Sequence, residues 1–354
     1  MSRFFSPKFA SLTPYVPGEQ PREMVYTKLN TNESPFPPSD KAKAVAKEKL
    51  RELNLYSDPE CTELRERLAE IYDVTPNMVI PCNGSDEILY FAFMAFCDDE
   101  HPVAFPDISY GFYPVFADIN RLPSVEIPLN EKLEIVPEDY FHLGKMVVIA
   151  NPNAPTGKAL PLSDIERIVR NNPDNVVVID EAYVDFGGES AVPLVKKYDN
   201  LLVVQTFSKS RSMAGARLGY AIGCESLITD LNTIRYSTNP YNINSMTQAM
   251  GLGLLSDEET TRKNCREIMA VRDYTTEELR KLGFTVIPSC ANFVFAATDR
   301  MDGGELYQAL KAKGVLVRHF DKERIRNYNR ITIGTKAQMD VLLEKLREIL
   351  GVNA

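Results

Sequence analysis

Lys209 stands in a short polar segment whose residue types suit covalent chemistry. It follows the apolar run Leu201-Leu202-Val203-Val204, closes Thr206-Phe207-Ser208-Lys209 and precedes Arg211 and Arg217. An amine whose pKa is lowered by neighbouring cations and partial desolvation can form a Schiff base with an aldehyde. Nearby hydroxyl and guanidinium groups suit a phosphate dianion. The segment predicts a ligand that carries both an aldehyde and a phosphate. Taken alone, the segment would equally suit a surface lysine in a turn.

Two other apolar runs end in polar segments. Residues 146–150 (MVVIA) lead into Asn151-Pro152-Asn153-Ala154-Pro155-Thr156-Gly157, and residues 176–179 (VVVI) lead into Asp180-Glu181-Ala182-Tyr183. Continuous β-branched runs are typical of strands buried on both faces of a parallel sheet, and ligands of such sheets bind at the carboxyl ends of the strands. We therefore predict an α/β fold with a mostly parallel central sheet and one ligand site at its edge.

Pyridoxal 5'-phosphate fits these groups, because it carries an aldehyde, a phosphate and a pyridine ring. A carboxylate at Asp180 is costly to bury unpaired, but opposite a pyridinium nitrogen it becomes half of an ion pair. Tyr183 could donate its hydroxyl to the ring's phenolate oxygen, or it could simply pack in a turn. The sequence predicts that Thr206, Ser208 and Arg217 anchor the phosphate.

A helix start adds two more phosphate candidates. Asn83-Gly84-Ser85-Asp86-Glu87 opens a helix-like stretch, and free backbone N–H groups at such a start bind phosphate. The same residues also suit simple N-capping. We predict that Ser85 and Asp86 contribute backbone donors.

Together these segments resemble the signature set of fold-type I pyridoxal-phosphate aminotransferases. The likeness is greatest to the histidinol-phosphate aminotransferase family. It rests on additional segments in chain order: residues 12–18 (LTPYVPG), 29–35 (LNTNESP), 56–60 (YSDPE), 291–294 (ANFV) and 329–335 (NRITIGT). The resemblance spans nearly the whole chain and implies a large α/β domain with a smaller α/β domain beside it.

The resemblance also implies roles for basic and aromatic residues. Arg330 would hold the carboxylate of glutamate or the phosphate of the alternate substrate, with Arg318 assisting. Arg330 lies in an apolar strand pattern where an unpaired guanidinium is costly, so an anionic ligand or a structural salt bridge is expected there. Tyr15 and Tyr56 resemble residues that reach in from the opposite subunit of a homodimer, Tyr15 toward the substrate phosphate and Tyr56 toward the cofactor phosphate.

The pyridine ring has its own candidates. Tyr110 resembles the side chain that stacks on the ring, with Tyr113 as the alternative. The chain departs from the family pattern at Ala154, where relatives often have an asparagine that bonds the ring oxygen. Either Asn153 or Asn151 substitutes, with Asn153 as the candidate, or Tyr183 bears the interaction with less help. The turn at residues 106–110 (PDISY) is longer than usual, which could move the stacking ring.

Length and composition bound the organisation of the chain. A chain of 354 residues with 44% hydrophobic residues suits about two domains. We predict an arm at residues 1–27 that packs on a partner or on the small domain, a large cofactor-binding domain at 28–255, and a linking helix with a small domain at 256–354. The arm is predicted from its lack of periodicity and from Pro14, Pro17 and Pro21.

Several classes of function are disfavoured. A net charge of −9 without a basic stripe argues against a nucleic-acid partner. No apolar run is long enough to span a bilayer and no secretory start is present, so a cytoplasmic location without a membrane partner is expected. Scattered cysteines and histidines indicate reduced thiols and no metal site, and no Gly-x-Gly-x-x-Gly supports a nicotinamide enzyme.

The resemblance implies transamination of L-histidinol phosphate with 2-oxoglutarate to imidazole-acetol phosphate and L-glutamate, a step of histidine biosynthesis. Lys209 would hold the cofactor as an aldimine and, once released, move the Cα proton. An aromatic-amino-acid aminotransferase would differ only around Tyr15, Arg318 and Arg330, and a threonine-phosphate decarboxylase-like enzyme is another alternative. An effector-binding regulator is disfavoured, because the cofactor set is complete and no DNA-binding segment is attached.

Overall fold

The computed structural model describes residues 2–352. In this range the strands are β1 (Thr27–Lys28), β2 (Val79–Cys82), β3 (Val103–Pro106), β4 (Ser124–Ile127), β5 (Met146–Ala150), β6 (Val177–Asp180), β7 (Leu201–Thr206), β8 (Gly219–Gly223), β9 (Phe284–Ile287), β10 (Phe293–Thr298), β11 (Val315–Leu316), β12 (Arg318–His319) and β13 (Tyr328–Thr332). The α-helices are α1 (Asp40–Glu48), α2 (Thr62–Tyr72), α3 (Ser85–Phe96), α4 (Tyr113–Asn120), α5 (Leu162–Arg170), α6 (Glu225–Thr238), α7 (Ser245–Leu255), α8 (Glu258–Lys281), α9 (Gly303–Ala312) and α10 (Lys336–Leu350).

A seven-stranded sheet forms the centre of the larger part of the chain. Its strand order is β2-β8-β7-β6-β5-β3-β4, and only β8 runs antiparallel to its neighbours. The predicted α/β fold with a mostly parallel central sheet is confirmed. Because β5, β6 and β7 are parallel and adjacent, the polar segments that follow them emerge at one edge of the sheet.

Both faces of this sheet are buried, which accounts for the continuous apolar runs. Along β5, Val147 and Ile149 face a core shared with α2 and α5, whereas Met146 and Val148 face a core shared with α3 and α4. Successive side chains of a strand point to opposite faces, so a strand covered on both faces needs apolar residues throughout.

The C-terminal part has its own sheet and core. The antiparallel order is β12-β13-β10-β9, and α8, α9 and α10 pack in the same hydrophobic cluster. The strand β1 pairs in parallel with β11, and Leu29 belongs to this C-terminal core. The first residues of the predicted large domain therefore pack against the C-terminal part. The predicted domain boundaries stay a prediction.

The arm is extended apart from a short 3₁₀ turn at Pro7–Phe9. It lies on the C-terminal part, where the carboxylate of Glu19 accepts from Tyr307 and Lys311 and its carbonyl accepts from Asn30. Within residues 2–352, no helix is both long enough and apolar enough to cross a membrane.

Candidate active site

The ends of β5, β6 and β7 surround a cavity of about 160 Å³. Ala150 and Asp180 are register partners at the ends of β5 and β6, and Thr206 ends β7. The cavity is lined by Lys209, Asp180, Tyr183, Arg217 and eleven other residues that include most of the predicted cofactor set: Ser85, Asp86, Tyr110, Thr206 and Ser208. Parallel neighbouring strands therefore bring together residues that are distant in sequence.

Lys209 lies in this cavity and is partly buried. Its Nζ donates to the carbonyl oxygen of Thr31 at 3.2 Å. Burial, aided by the positive charges of Arg330 and Arg217, lowers the pKa of Lys209 to about 8, although Asp86 and Glu33 oppose the shift. About a tenth of the amine is thus neutral at pH 7, and the neutral amine is the form that attacks a carbonyl or accepts a proton.

Asp180 is buried with only neutral hydrogen-bond donors. Tyr113 donates to its Oδ2 at 2.9 Å, and the backbone N–H of Ala182 donates to its Oδ1 at 3.2 Å. Burial raises the pKa of Asp180 to about 6 despite these hydrogen bonds. A cationic group in the cavity would stabilise the carboxylate by supplying the opposite charge.

The expected phosphate residues converge where α3 begins. Arg217 donates to Oδ2 of Asp86 at 2.9 Å and lies 3.5 Å from Oγ of Ser208. Gly84 precedes the helix at φ +86°, and a Cβ there would lie 2.6 Å from Nη2 of Arg217. This glycine lets the guanidinium approach the helix start, where backbone N–H groups favour an anion.

Tyr110 and Tyr113 occupy different positions. The Tyr110 hydroxyl donates to Oδ1 of Asp86 at 2.8 Å, and its ring lines the cavity. Tyr113 meets the Tyr110 ring edge-on at 5.6 Å and uses its hydroxyl for Asp180. Tyr113 is therefore a partner of Asp180 and not the alternative stacking ring, a contact that the sequence pattern did not reveal.

The prediction for Asn153 differs from the structure. Its Oδ1 accepts from Ser109 at 2.8 Å, and its Nδ2 donates to the Ile108 carbonyl and to Thr156 at 3.0 and 3.1 Å. Asn153 is absent from the lining of the Lys209 cavity, whereas Ala154 lines it. The amide is satisfied by the surrounding loops, so it does not serve as a ring-oxygen donor.

Asn151 is likewise turned away. It exchanges hydrogen bonds with Leu160, accepting at 2.7 Å and donating at 3.3 Å. The amide near the site comes instead from Asn32, whose Nδ2 donates to the Tyr183 hydroxyl at 2.9 Å. In the sequence, residues 29–35 carry only the family resemblance, and no local pattern there predicts this contact.

A second cavity of about 580 Å³ adjoins the first and shares Lys209, Tyr183 and Arg217 with it. Arg330 donates to the carbonyl of Asn30 at 3.1 Å, and within residues 2–352 its Nε has no hydrogen-bond partner. Its guanidinium carbon lies 5.4 and 5.5 Å from the ring centroids of Phe293 and Phe320. This arrangement leaves donor capacity for an anionic ligand.

Arg318 lines the same cavity and is bound by the arm. It donates to the carbonyls of Val16 and Pro17 at 3.1 and 3.2 Å. Among the residues described, these backbone acceptors and the Asn30 carbonyl are the hydrogen-bond partners of the two arginines. The structural salt bridge considered for Arg330 is therefore not formed within the described chain.

The two tyrosines expected from a partner subunit are placed differently from each other. Tyr15 stacks on Phe112 of its own chain at 4.2 Å and lines the cavity that contains Arg318 and Arg330. This differs from the prediction, because the arm folds back onto its own chain. Tyr56 is 82% exposed, stacks on Tyr241 at 4.3 Å and does not line the Lys209 cavity. Its predicted contact requires a second copy.

Comparison with known proteins gives the family. Residues 25–346 match the family model for aminotransferase class I and II. The chain belongs to the class I and II aminotransferases.

Relatives of this aminotransferase cover its full length. It is 49% identical over 353 residues to a histidinol-phosphate aminotransferase of Marinomonas sp. (strain MWYL1), covering 99% of this chain and 100% of that protein. It is 47% identical to the histidinol-phosphate aminotransferase of Brachyspira hyodysenteriae (strain ATCC 49526 / WA1), covering 99% of each.

Solved structures confirm the fold. The Sinorhizobium meliloti histidinol-phosphate aminotransferase, solved in complex with pyridoxal-5'-phosphate, matches with a TM-score of 0.91 at 22% identity, over 99% of this chain and 98% of that one. A Thermus thermophilus aspartate aminotransferase double mutant matches with a TM-score of 0.81 at 24% identity, over 92% of each chain. The fold-type I architecture expected from the sequence is shared with both.

Proposed function

We propose that this aminotransferase uses pyridoxal 5'-phosphate bound at Lys209 to transfer the amino group of L-histidinol phosphate to 2-oxoglutarate. The products are imidazole-acetol phosphate and L-glutamate. The observation that carries the proposal is the single cavity in which the Lys209 amine meets Asp180 and Arg217. The choice of substrate is supported by relatives of that name at 45–49% identity over nearly the whole chain.

The residues around Lys209 fit the chemical groups of this cofactor. Arg217, Ser208 and the start of α3 supply donors for a phosphate. Gly219 allows β8 to approach the start of α3 closely, since a Cβ there would lie 2.4 Å from the Ser85 nitrogen. The buried Asp180 carboxylate has neutral donors only and suits a protonated ring nitrogen. When bound, the cofactor supplies an electron sink for the substrate Cα.

The chain's own groups then move and hold protons. The Lys209 amine, with its lowered pKa, would accept the proton from the substrate Cα and would return it during the second half of the transfer. The Asp180 carboxylate would hold a proton on the ring nitrogen of the bound cofactor. Tyr183, whose hydroxyl accepts from Asn32, would donate its own hydrogen to the ring oxygen of the bound cofactor.

Substrate selection is assigned to the second cavity. Arg330 and Arg318 provide two cations for a phosphate in one half-reaction and for a carboxylate in the other. Tyr15 and Phe320 add aromatic surface to the same cavity, which suits a planar imidazole. A ligand with an aromatic ring and an anionic end uses both features.

A homodimer and a cytoplasmic location also belong to the proposal. Tyr56 is exposed near Leu50, Leu53 and Leu55, which are at least half exposed. Apolar side chains grouped in this way suit burial against another protein surface. A second copy would cover them and allow Tyr56 to approach the partner's phosphate site.

The test is the visible absorbance of the purified protein with pyridoxal phosphate, followed by separate additions of histidinol phosphate and phenylalanine. Bleaching at much lower histidinol phosphate concentration, with glutamate formed on addition of 2-oxoglutarate, supports the proposal. Preferential bleaching by phenylalanine would identify an aromatic-amino-acid aminotransferase. Release of carbon dioxide from threonine phosphate would indicate the decarboxylase, and no visible band at all would contradict the role of Lys209.

A further inference from the structure

Asn32 links the Lys209 cavity to the C-terminal sheet. It is 1% exposed and has φ +58°, a left-handed conformation that asparagine tolerates better than most residues. Its backbone N–H donates to Oγ1 of Thr332 at 2.9 Å, and its carbonyl accepts from Asn292 at 3.0 Å. Its position is therefore fixed by residues outside the seven-stranded sheet.

The side-chain amide has two partners on opposite sides. Its Oδ1 accepts from the Thr332 hydroxyl at 2.9 Å, and its Nδ2 donates to the Tyr183 hydroxyl at 2.9 Å. In the opposite amide orientation, the Thr332 hydroxyl would accept two hydrogen bonds, one from the backbone N–H of Asn32 and one from its Nδ2. Within residues 2–352, the buried Thr332 hydroxyl hydrogen would then have no acceptor, which is costly. Hydrogen-bond satisfaction thus selects the orientation in which the amide donates to Tyr183.

This orientation determines where the Tyr183 hydrogen can go. The hydroxyl oxygen accepts from Asn32, and it makes no further hydrogen bond in the described part of the chain. Its own hydrogen is free to donate into the cavity that Tyr183 and Lys209 line. The hydrogen bond from Asn32 also opposes the rise in the pKa of Tyr183 that burial causes, so it makes the hydroxyl a stronger donor.

We propose that Asn32 is a positioning residue for transamination: its amide occupies a lone pair of Tyr183 and thereby directs the Tyr183 hydroxyl hydrogen to the ring oxygen of the cofactor. This inference rests on the proposed function. Ala154, which lines the same cavity, has no side-chain donor for that oxygen. The donor strength of Tyr183 consequently depends on an amide held by the C-terminal sheet.

The test uses Asn32→Asp and Asn32→Gly, each in the parent and in a Tyr183→Phe background. Aspartate keeps the shape but attracts the Tyr183 hydrogen to its carboxylate, and glycine tolerates the positive φ while removing the amide. The measurements are the pH at which the visible band of the cofactor-loaded protein titrates, and kcat and KM for histidinol phosphate.

In the parent background, both variants should titrate at higher pH, because a hydrogen bond donated to the ionised ring oxygen makes the neighbouring proton easier to remove. We expect kcat to fall about tenfold with a smaller change in KM. In the Tyr183→Phe background neither substitution should change the titration or kcat further. Thr332→Val, which frees the amide to rotate, should shift the titration in the same direction by less.

Asn172→Ala is the matched control for loss of a buried asparagine. Asn172 donates to the carbonyls of Tyr140 and Ile168 and does not line the Lys209 cavity, so its loss should lower thermal stability without moving the titration. The inference would be overturned if the Asn32 variants changed the titration and kcat equally in the parent and in the Tyr183→Phe background. A parent protein without a visible band or transamination would instead reject the proposed function, so the two failures are distinguishable.

Discussion

The two halves of the site hold their charged groups in different ways. At the edge of the seven-stranded sheet, the charged groups other than Lys209 have side-chain partners: Asp180 bonds to Tyr113, and Asp86 bonds to both Arg217 and Tyr110. In the adjoining cavity, Arg318 and Arg330 bond to backbone carbonyls of the arm and of the segment that follows it.

This difference separates chemistry from selection. Side-chain pairs beside the sheet edge fix both partners, which suits groups that must keep one orientation toward a cofactor. Neutral carbonyl partners leave the positive charge of a guanidinium uncompensated, which suits a group that must accept different anions in turn. We therefore expect substitutions in the first half to act on kcat and those in the second half on KM.

The largest effect is expected from Lys209→Ala. Removal of the amine eliminates both cofactor attachment and proton transfer, so transamination should fall by roughly 10⁴-fold or more with every substrate. The measurement is kcat with histidinol phosphate and with glutamate, together with thermal unfolding to show that the fold persists.

Lys197→Ala provides the control for that change. Lys197 pairs with Glu166 on the surface and lies outside both cavities, so its loss should leave the kinetics unaltered. Parent-like turnover by Lys209→Ala would remove Lys209 from the mechanism and with it the contrast between the two halves.

Arg330→Ala tests the second half and should have an intermediate effect. Loss of the guanidinium cation should raise KM for glutamate about 100-fold, with a much smaller change in kcat. Steady-state kinetics in both directions would measure this, and Lys336→Ala, whose partner is the exposed Asp340, is the control. An unaltered KM would place the carboxylate elsewhere, whereas an equal loss in kcat would mean that the two halves are not separable.

The smallest effect concerns pH and connects the halves. Because the folded pKa of Lys209 is about 8 instead of 10.5, the cofactor-free protein should capture pyridoxal phosphate faster as pH rises, by about tenfold per unit below 8, and then level off. Stopped-flow absorbance would give the profile. Arg330→Ala should move the plateau to higher pH, since Arg330 contributes to the lowered pKa; a plateau near 10.5 in the parent would contradict the burial argument.

The features that could be predicted from the sequence are local ones, namely the buried strands and the polar residues at their ends. An apolar run buried on both faces can be recognised from its composition, and the polar residue after it must lie at the sheet edge. For this reason the sequence alone predicts that Asp180, Thr206 and Lys209 share one site, and all three line the same cavity. Asp180 is distant from the other two in sequence, and the parallel pairing of β6 and β7 brings them close together.

Contacts between distant segments were harder to predict. Tyr113 lies in an aromatic cluster whose members look alike in sequence, and its bond to Asp180 depends on the packing of α4. Asn32 reaches Tyr183 because the segment that begins with β1 pairs with β11 in the C-terminal part. The path of the arm, which brings Tyr15 onto Phe112, follows from tertiary packing and not from any periodicity.

The contact between Arg318 and the carbonyls of Val16 and Pro17 has a consequence for how the arm tolerates mutation. Every amino acid supplies a backbone carbonyl, so substitution at either position removes no acceptor, provided that the extended path is kept. Insertion or deletion of one residue between Pro17 and β1 would instead shift both carbonyls relative to Arg318. The length of the arm is consequently under tighter constraint than its side chains at these two positions.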